Sequence, residues 1–195
     1  MEAPNLITDA LRLANSFTTL PEAEAQPTLI VVSGLPGTGK TYFSRRLAER
    51  LPFLILESDA LRKQLFPTPT YSAEESFYLF RAIYQLMQDL LKKGIPVILD
   101  ATNLEERHRE RLYNIAERFK AKLILVNVQA PPELVEKRLK KRMESKSNHD
   151  NSDADWEVYQ KMKATAETIK RRFFTVDTSK DITPVIDKVV REARR

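Results

Sequence analysis

The chain has 195 residues, 42% of them hydrophobic and 30% charged, with four Gly, eleven Pro and no Cys. That size suits one domain around one core, and the composition excludes collagen-like, low-complexity and wholly disordered chains. The net charge is +5, with the excess in the last third: residues 137–195 hold 16 basic and 10 acidic side chains, residues 1–136 hold 16 and 17. A surplus of this size on a mixed surface serves solubility more often than nucleic-acid binding. No stretch reaches 18 consecutive apolar residues, and the opening MEAPNLITDALRLAN lacks the basic start and apolar run of a secretory signal. Neither a membrane span nor secretion is therefore expected. The lack of Cys removes disulfides, thiolate nucleophiles and Cys-ligated metal sites, and fits a cytoplasmic location.

Residues 1–27 read as a short amphipathic helix (Leu6, Ile7, Ala10, Leu11, Leu13, Ala14) and a Pro/Glu/Ala stretch, an appendage that can dock or swing free. Residues 28–195 then read as one domain. Five short apolar runs, TLIVVS, FLILES, PVILDA, KLILVNV and the weaker FFTVDT, alternate with helical patterns. Runs that are apolar on both faces mark parallel strands covered by helices on either side, which predicts a doubly wound α/β sheet of about five strands. The clearest helical spacing joins Phe77, Phe80, Ile83, Tyr84, Met87, Leu90 and Leu91, with a stop at Gly94.

The first strand runs into Gly34, Leu35, Pro36, Gly37, Thr38, Gly39, Lys40 and Thr41, a full match to G-x-x-x-x-G-K-[ST]. Three of the four Gly of the chain fall here. A loop that wraps phosphate points consecutive N–H groups inward, which demands backbone angles and close approaches that side chains obstruct. The following helix, expected over Lys40 to Arg50, aims its positive end at the same phosphates. Lys40 reaches the β/γ oxygens, and the Thr41 hydroxyl is placed to ligate Mg²⁺. The pattern points to a nucleoside triphosphate, ATP first among them, bound with Mg²⁺.

The second strand ends in Glu57-Ser58-Asp59, at the sheet edge where open α/β folds keep their sites. Asp59 suits a base that orients an acceptor hydroxyl, with Arg62 a nearby cation. It equally suits the N-cap of a helix Ala60 to Phe66 with Arg62 solvated. The third strand closes on Asp100-Ala101-Thr102-Asn103: Asp100 suits a carboxylate that holds Mg²⁺ through water, and Asn103 either a substrate contact or the cap of a helix starting at Leu104. The helix Pro132 to Met143 carries Arg138 and Arg142 on one face and leads into the polar stretch ESKSNHDNSDAD, which reads as a surface loop of the kind that serves as a lid. Arginines so placed stabilise charge on a transferred phosphoryl group, although Lys137, Lys140 and Lys141 make the helix basic nearly all round. His108 and His149 lie far apart on polar segments and suggest no zinc site. Phe66, Tyr71, Tyr78 and Trp156 fit either the core or a base-stacking role.

GLPGTGKT, then Asp59-x-x-Arg62, then DATN from Asp100 to Asn103, then Arg138-x-x-x-Arg142 before SDADWEVYQ, resemble in order and spacing the small kinases of the AAA-like, polynucleotide-kinase-type branch of P-loop proteins, more distantly zeta toxins. The resemblance runs from about Thr28 to Arg172. It implies a three-layer α/β/α P-loop fold with strand order 2-3-1-4-5 and a helical lid. It also implies Asp59 as general base, Arg62 as a substrate-site cation, Arg138 or Arg142 as the lid arginine on the phosphate, and adenine near Thr175 to Lys180. The function expected is an ATP- and Mg²⁺-dependent phosphotransferase acting on a hydroxyl acceptor. A small molecule is favoured as acceptor and a nucleic-acid 5′-hydroxyl is the alternative. An ATP-driven switch without acceptor is the contrasting class.

Overall fold

A computed structural model describes residues 6–145 and 154–195. In chain order the elements are α1 (Leu6–Ala14), β1 (Thr28–Ser33), α2 (Lys40–Ala48), β2 (Leu54–Glu57), α3 (Ser58–Leu65), α4 (Ala73–Lys92) and β3 (Val97–Asp100). They continue with α5 (Glu106–Arg118), β4 (Lys122–Gln129), α6 (Pro132–Ser145), α7 (Trp156–Thr165), β5 (Phe174–Asp177) and α8 (Thr183–Ala193). The five strands are parallel in the order β2-β3-β1-β4-β5.

Every residue of β1 and β3 is buried, the mark of central strands with helices on both faces. Alternation along β1 divides the core. Leu29 and Val31 join Leu56, Leu99, Ile83 and Met87 of α4, and Leu112 of α5, whereas Ile30 and Val32 join Phe43 and Leu47 of α2 and Ile186 and Val189 of α8.

The first helix docks. Its Leu13 is fully buried and Ala10 nearly so, with Leu13 in the same layer as α4. A second tie follows where the Glu24 amide donates to the Gly94 carbonyl at 2.8 Å. On α4 the apolar spacing holds except at Phe77, which is half exposed and packs edge-on against Tyr78. The buried stripe runs instead through Leu79, Ile83, Leu86, Met87 and Leu90, so the helix enters the core later than its first aromatics suggest. Among the described residues no helix is long and apolar enough to cross a membrane.

Candidate active site

Parallel pairing sets the site at the carboxyl ends of the central strands. Val32 of β1, Asp100 of β3 and Glu57 of β2 share one level. The loop from β1 to α2 begins at Gly34, whose amide donates to the Thr102 carbonyl at 3.1 Å and so ties it to the loop after β3. A Cβ at Gly34 would stand 2.3 Å from the Val128 carbonyl oxygen, so any side chain here forces β1 and β4 apart. At Gly37, with φ 75°, a Cβ would meet Val135 of α6 at 2.9 Å, so the loop closes directly under that helix. Inside it the Thr38 hydroxyl and the Lys40 ammonium both donate to the Leu35 carbonyl, at 2.8 and 3.1 Å. The N-cap of α2 is Gly39, which offers no side-chain oxygen, leaving the first amides of the helix for an anion.

Four charges from four elements meet at this level. Burial pushes the Lys40 ammonium below its ordinary value; Asp100 and Asp59 oppose that shift and Arg142 adds to it. Burial raises the Asp100 carboxyl to about 6, while Lys40 and a hydrogen bond from the Thr41 hydroxyl draw it down and Glu57 and Asp59 push it up. One Asp100 oxygen, Oδ2, is buried without a protein partner. Two hard oxygen donors, the Thr41 hydroxyl and the Asp100 carboxylate with an oxygen to spare, fit Mg²⁺, which keeps waters and phosphate oxygens in its remaining positions. Glu57 is held by Arg45 at 3.3 Å.

The chain passes from β2 into α3 without a turn. The helix starts at Ser58, its N-cap is Glu57, and no side chain caps it. Asp59 therefore lies inside the first turn, which corrects the capping alternative and sets its carboxylate among the charges acting on Lys40. Asn103 does not cap a helix at Leu104 either, because α5 starts at Glu106 after an N-cap at Glu105. Asn103 has φ 47°, is buried, and its amide donates to the Val32 and Ala101 carbonyls at 3.4 Å, fastening the loop after β3 to β1.

The two α6 arginines diverge. Arg138 donates to the Thr178 hydroxyl at 2.8 Å, to the Thr178 carbonyl at 3.0 Å and to the Gly37 and Thr38 carbonyls at 3.4 Å. The Thr178 hydroxyl in turn donates to the Thr38 carbonyl at 2.6 Å, so the loop after β5 is latched to the phosphate loop. Arg142 donates to the Ala154 carbonyl at 2.5 Å and is the one whose charge reaches Lys40. Beneath them Val135, Leu139 and Tyr159 form a small separate core with Leu35 and Trp156 packed on it, and Trp156 stacks on Tyr159 with ring centroids 4.7 Å apart. Residues 146–153, with His149 and most of the expected lid loop, lie outside the described residues.

Arg62 is buried in an ion pair with Glu75 of α4, and Tyr71 is exposed with its ring under the guanidinium. Phe66 packs at the edge of the main core and Tyr78 is half-buried. His108, read as solvated, is half-buried against Phe80, and burial lowers its pKa. Sequence reasoning passed over Arg109, the largest fully buried side chain among the described residues. It donates to Glu106 and the Asn103 carbonyl at 2.7 Å and to the Glu167 and Thr168 carbonyls at 2.9 and 3.0 Å. It joins the loop that follows Asp100 to the segment that follows α7. Thr178 was not singled out either; only its place inside the expected adenine region gave a signal.

Residues 29–169 match the family model described as an AAA domain. Over 115 residues, 56% of the chain, it is 32% identical to L-seryl-tRNA(Sec) kinase of Methanococcus maripaludis, spanning 44% of that relative's length. Over 124 residues, 61% of the chain, it is 27% identical to the probable adenylyl-sulfate kinase of Archaeoglobus fulgidus, covering 77% of it. Among solved structures, the APS kinase CysC of Mycobacterium tuberculosis in complex with AMPPNP and APS superposes with TM-score 0.67 at 16% identity, over 88% of this chain and all of that one, a likeness of fold.

Proposed function

The chain belongs to the AAA domain family, and from that premise we propose that it is an ATP-dependent phosphotransferase moving the γ-phosphoryl group to a hydroxyl of a small-molecule acceptor. The observation that carries this reading is the convergence on Lys40 of Asp59 from α3, Asp100 from β3 and Arg142 from α6. A nucleotide-binding loop alone accounts for Lys40 and Thr41; a carboxylate poised across from them is what transfer to an acceptor adds.

In this account Gly34 to Thr41 cradle the phosphates and Lys40 neutralises charge on the β/γ oxygens. Thr41 and Asp100 would hold Mg²⁺, which when bound would supply charge neutralisation at the phosphates. Asp59 orients the acceptor hydroxyl and takes its proton as the new O–P bond forms and the bond from γ-phosphorus to the leaving ADP oxygen breaks. Arg142 stabilises the charge that develops on the transferred group, and Arg138 holds the lid helix to the phosphate loop. Residues 28–195 form the catalytic unit, with residues 1–27 an appendage whose helix α1 docks on it.

A second reading is favoured by one relative, whose name gives it an acceptor carried on tRNA: the hydroxyl then belongs to an RNA-borne group. A place in the polynucleotide-kinase branch and transfer to a 5′-hydroxyl rest on the Asp59-x-x-Arg62 and Asp100-to-Asn103 patterns. The test is γ-labelled ATP with Mg²⁺ against nucleosides, sugars, 5′-hydroxyl oligonucleotides and aminoacylated tRNA, beside a control without acceptor. Label on one class names the acceptor; label in none of them above the control overturns the transfer reading.

A further inference from the structure

The helix α5 starts without a cap of its own: its N-cap, Glu105, makes no side-chain hydrogen bond to the helix, and the Glu106 carboxylate is taken by Arg109 at 2.7 Å. The missing acceptor comes from 61 residues away, where Glu167 Oε2 accepts from the Glu106 amide at 2.6 Å. Three more bonds fix the same segment. The Glu167 amide donates to the Leu104 carbonyl at 2.9 Å, and Arg109 Nη2 donates to the Glu167 and Thr168 carbonyls at 2.9 and 3.0 Å. Ile169 then packs on the main core. The chain leaving α7 is thus clamped to the loop between β3 and α5. That loop is fastened in turn to the phosphate loop, by the Gly34 amide on the Thr102 carbonyl, and to β1, by the Asn103 side chain on the Val32 carbonyl.

The other end of α7 holds Arg142. The Ala154 carbonyl, two residues before the helix, accepts from the Arg142 guanidinium at 2.5 Å, and Asp155 caps the helix by accepting from the Val158 amide at 2.9 Å. Ten residues of helix, roughly 15 Å, separate this end from the clamp. Near its start α7 packs on α6 through a small core, in which Tyr159 is buried with Val135 and Leu139. A helix seated near one end takes its direction from a second point, and the Glu167 segment supplies it. We infer that α7 is a strut and Glu167 a positioning residue: by fixing the exit of α7 to the loop that follows Asp100, Glu167 sets the Arg142 guanidinium at the phosphate site. This rests on the phosphotransferase reading, in which Arg142 meets the transferred group, and adds a residue that acts on that arginine from the far end of a helix.

The test is a double-mutant cycle on kcat for label transfer from γ-labelled ATP with Mg²⁺, with AMPPNP affinity measured beside it. The acceptor is whichever of the nucleosides, sugars, 5′-hydroxyl oligonucleotides or aminoacylated tRNA takes label from the wild-type chain. Glu167→Ala should lower kcat about tenfold and leave AMPPNP affinity within a few-fold, the effect of a catalytic group displaced by a fraction of about 1 Å. Glu167→Gln, whose side-chain oxygen still accepts from the Glu106 amide, should stay within about threefold of wild type. In the Arg142→Ala background Glu167→Ala should cost less than about twofold, because its effect has no arginine left to act through. The same fold loss with and without Arg142 overturns the inference, as does a wild-type rate in Glu167→Ala or a Glu167→Gln variant as slow as Glu167→Ala. Glu167→Asp, a methylene too short for the Glu106 amide, runs the same cycle where Glu167→Ala does not fold. A wild-type chain that labels no acceptor fails the phosphotransferase reading instead, a separate result obtained before any variant is measured.

Discussion

The Thr41 hydroxyl, in the first turn of α2, acts on the Asp100 carboxylate at the tip of β3 and draws its pKa down. The same carboxylate and Lys40 act on one another, and Asp100 Oδ2 is buried unmatched by any protein group. Such an arrangement is unfavourable in the empty protein and suited to a bound cation.

Removing that buried charge should therefore stabilise the empty protein. Burial raises the Asp100 carboxyl to about 6 from 3.8, so its contribution to stability is present below 3.8 and lost as pH rises through 6. In the absence of nucleotide and divalent cation, Asp100→Asn should stabilise the protein at pH 8 by about 1–3 kcal/mol, a gain that fades between about pH 6 and 4, while phosphotransfer falls. Urea melts across pH, with turnover measured beside them, check both halves.

The two α6 arginines should separate in kinetics as they do in space. Arg142→Ala should lower kcat by about 10²-fold or more with ATP affinity within a few-fold, because its charge acts at the phosphate site. Arg138→Ala should raise the KM for ATP by about tenfold with a smaller effect on kcat, since it releases the latch between α6, Thr178 and the phosphate loop. Steady-state kinetics of the two variants distinguishes them.

Arg109 is expected to dominate the stability of the loop after β3. Arg109→Met leaves the Glu106 carboxylate buried without its cation and strands the Asn103, Glu167 and Thr168 carbonyls, at a cost of about 3–5 kcal/mol. Arg111→Met, exposed two residues on, should stay within about 0.5 kcal/mol. Equilibrium unfolding in urea measures the difference.

The docked first helix predicts a core effect from the segment before β1. Leu13→Ala should cost about 2–5 kcal/mol, because Leu13 is fully buried with α4, whereas Leu11→Ala, at an exposed position, should be nearly neutral. Thermal melts of the two variants check this.

The strands and the phosphate loop were legible because their signals are local: short apolar runs and a pattern of fixed spacing. The strand order came with the resemblance. What stayed hidden depends on partners distant in sequence. Arg62 reads as a solvated or substrate-facing cation until Glu75, thirteen residues on, is seen beside it. Arg109 lies in ERHRERL, where an arginine on a polar helix gives no hint of burial, and its carbonyl partners at Glu167 and Thr168 are 58 and 59 residues away. The capping alternative at Asp59 fails because β2 runs straight into α3, which starts at Ser58 with Glu57 as its N-cap. Arg138 and Arg142 share a helix face in the sequence pattern, and only the packing of α6 on the phosphate loop sends one to Thr178 and the other toward Lys40.

The central claim, that Asp59 serves an acceptor across from Lys40, is tested most directly by comparing wild type with Asp59→Asn for AMPPNP binding and for label transfer from γ-labelled ATP to the acceptor identified in the panel. Unchanged AMPPNP affinity is expected, with transfer reduced by about 10²–10⁴-fold. Transfer at the wild-type rate, or equal loss of nucleotide binding and transfer, would contradict it.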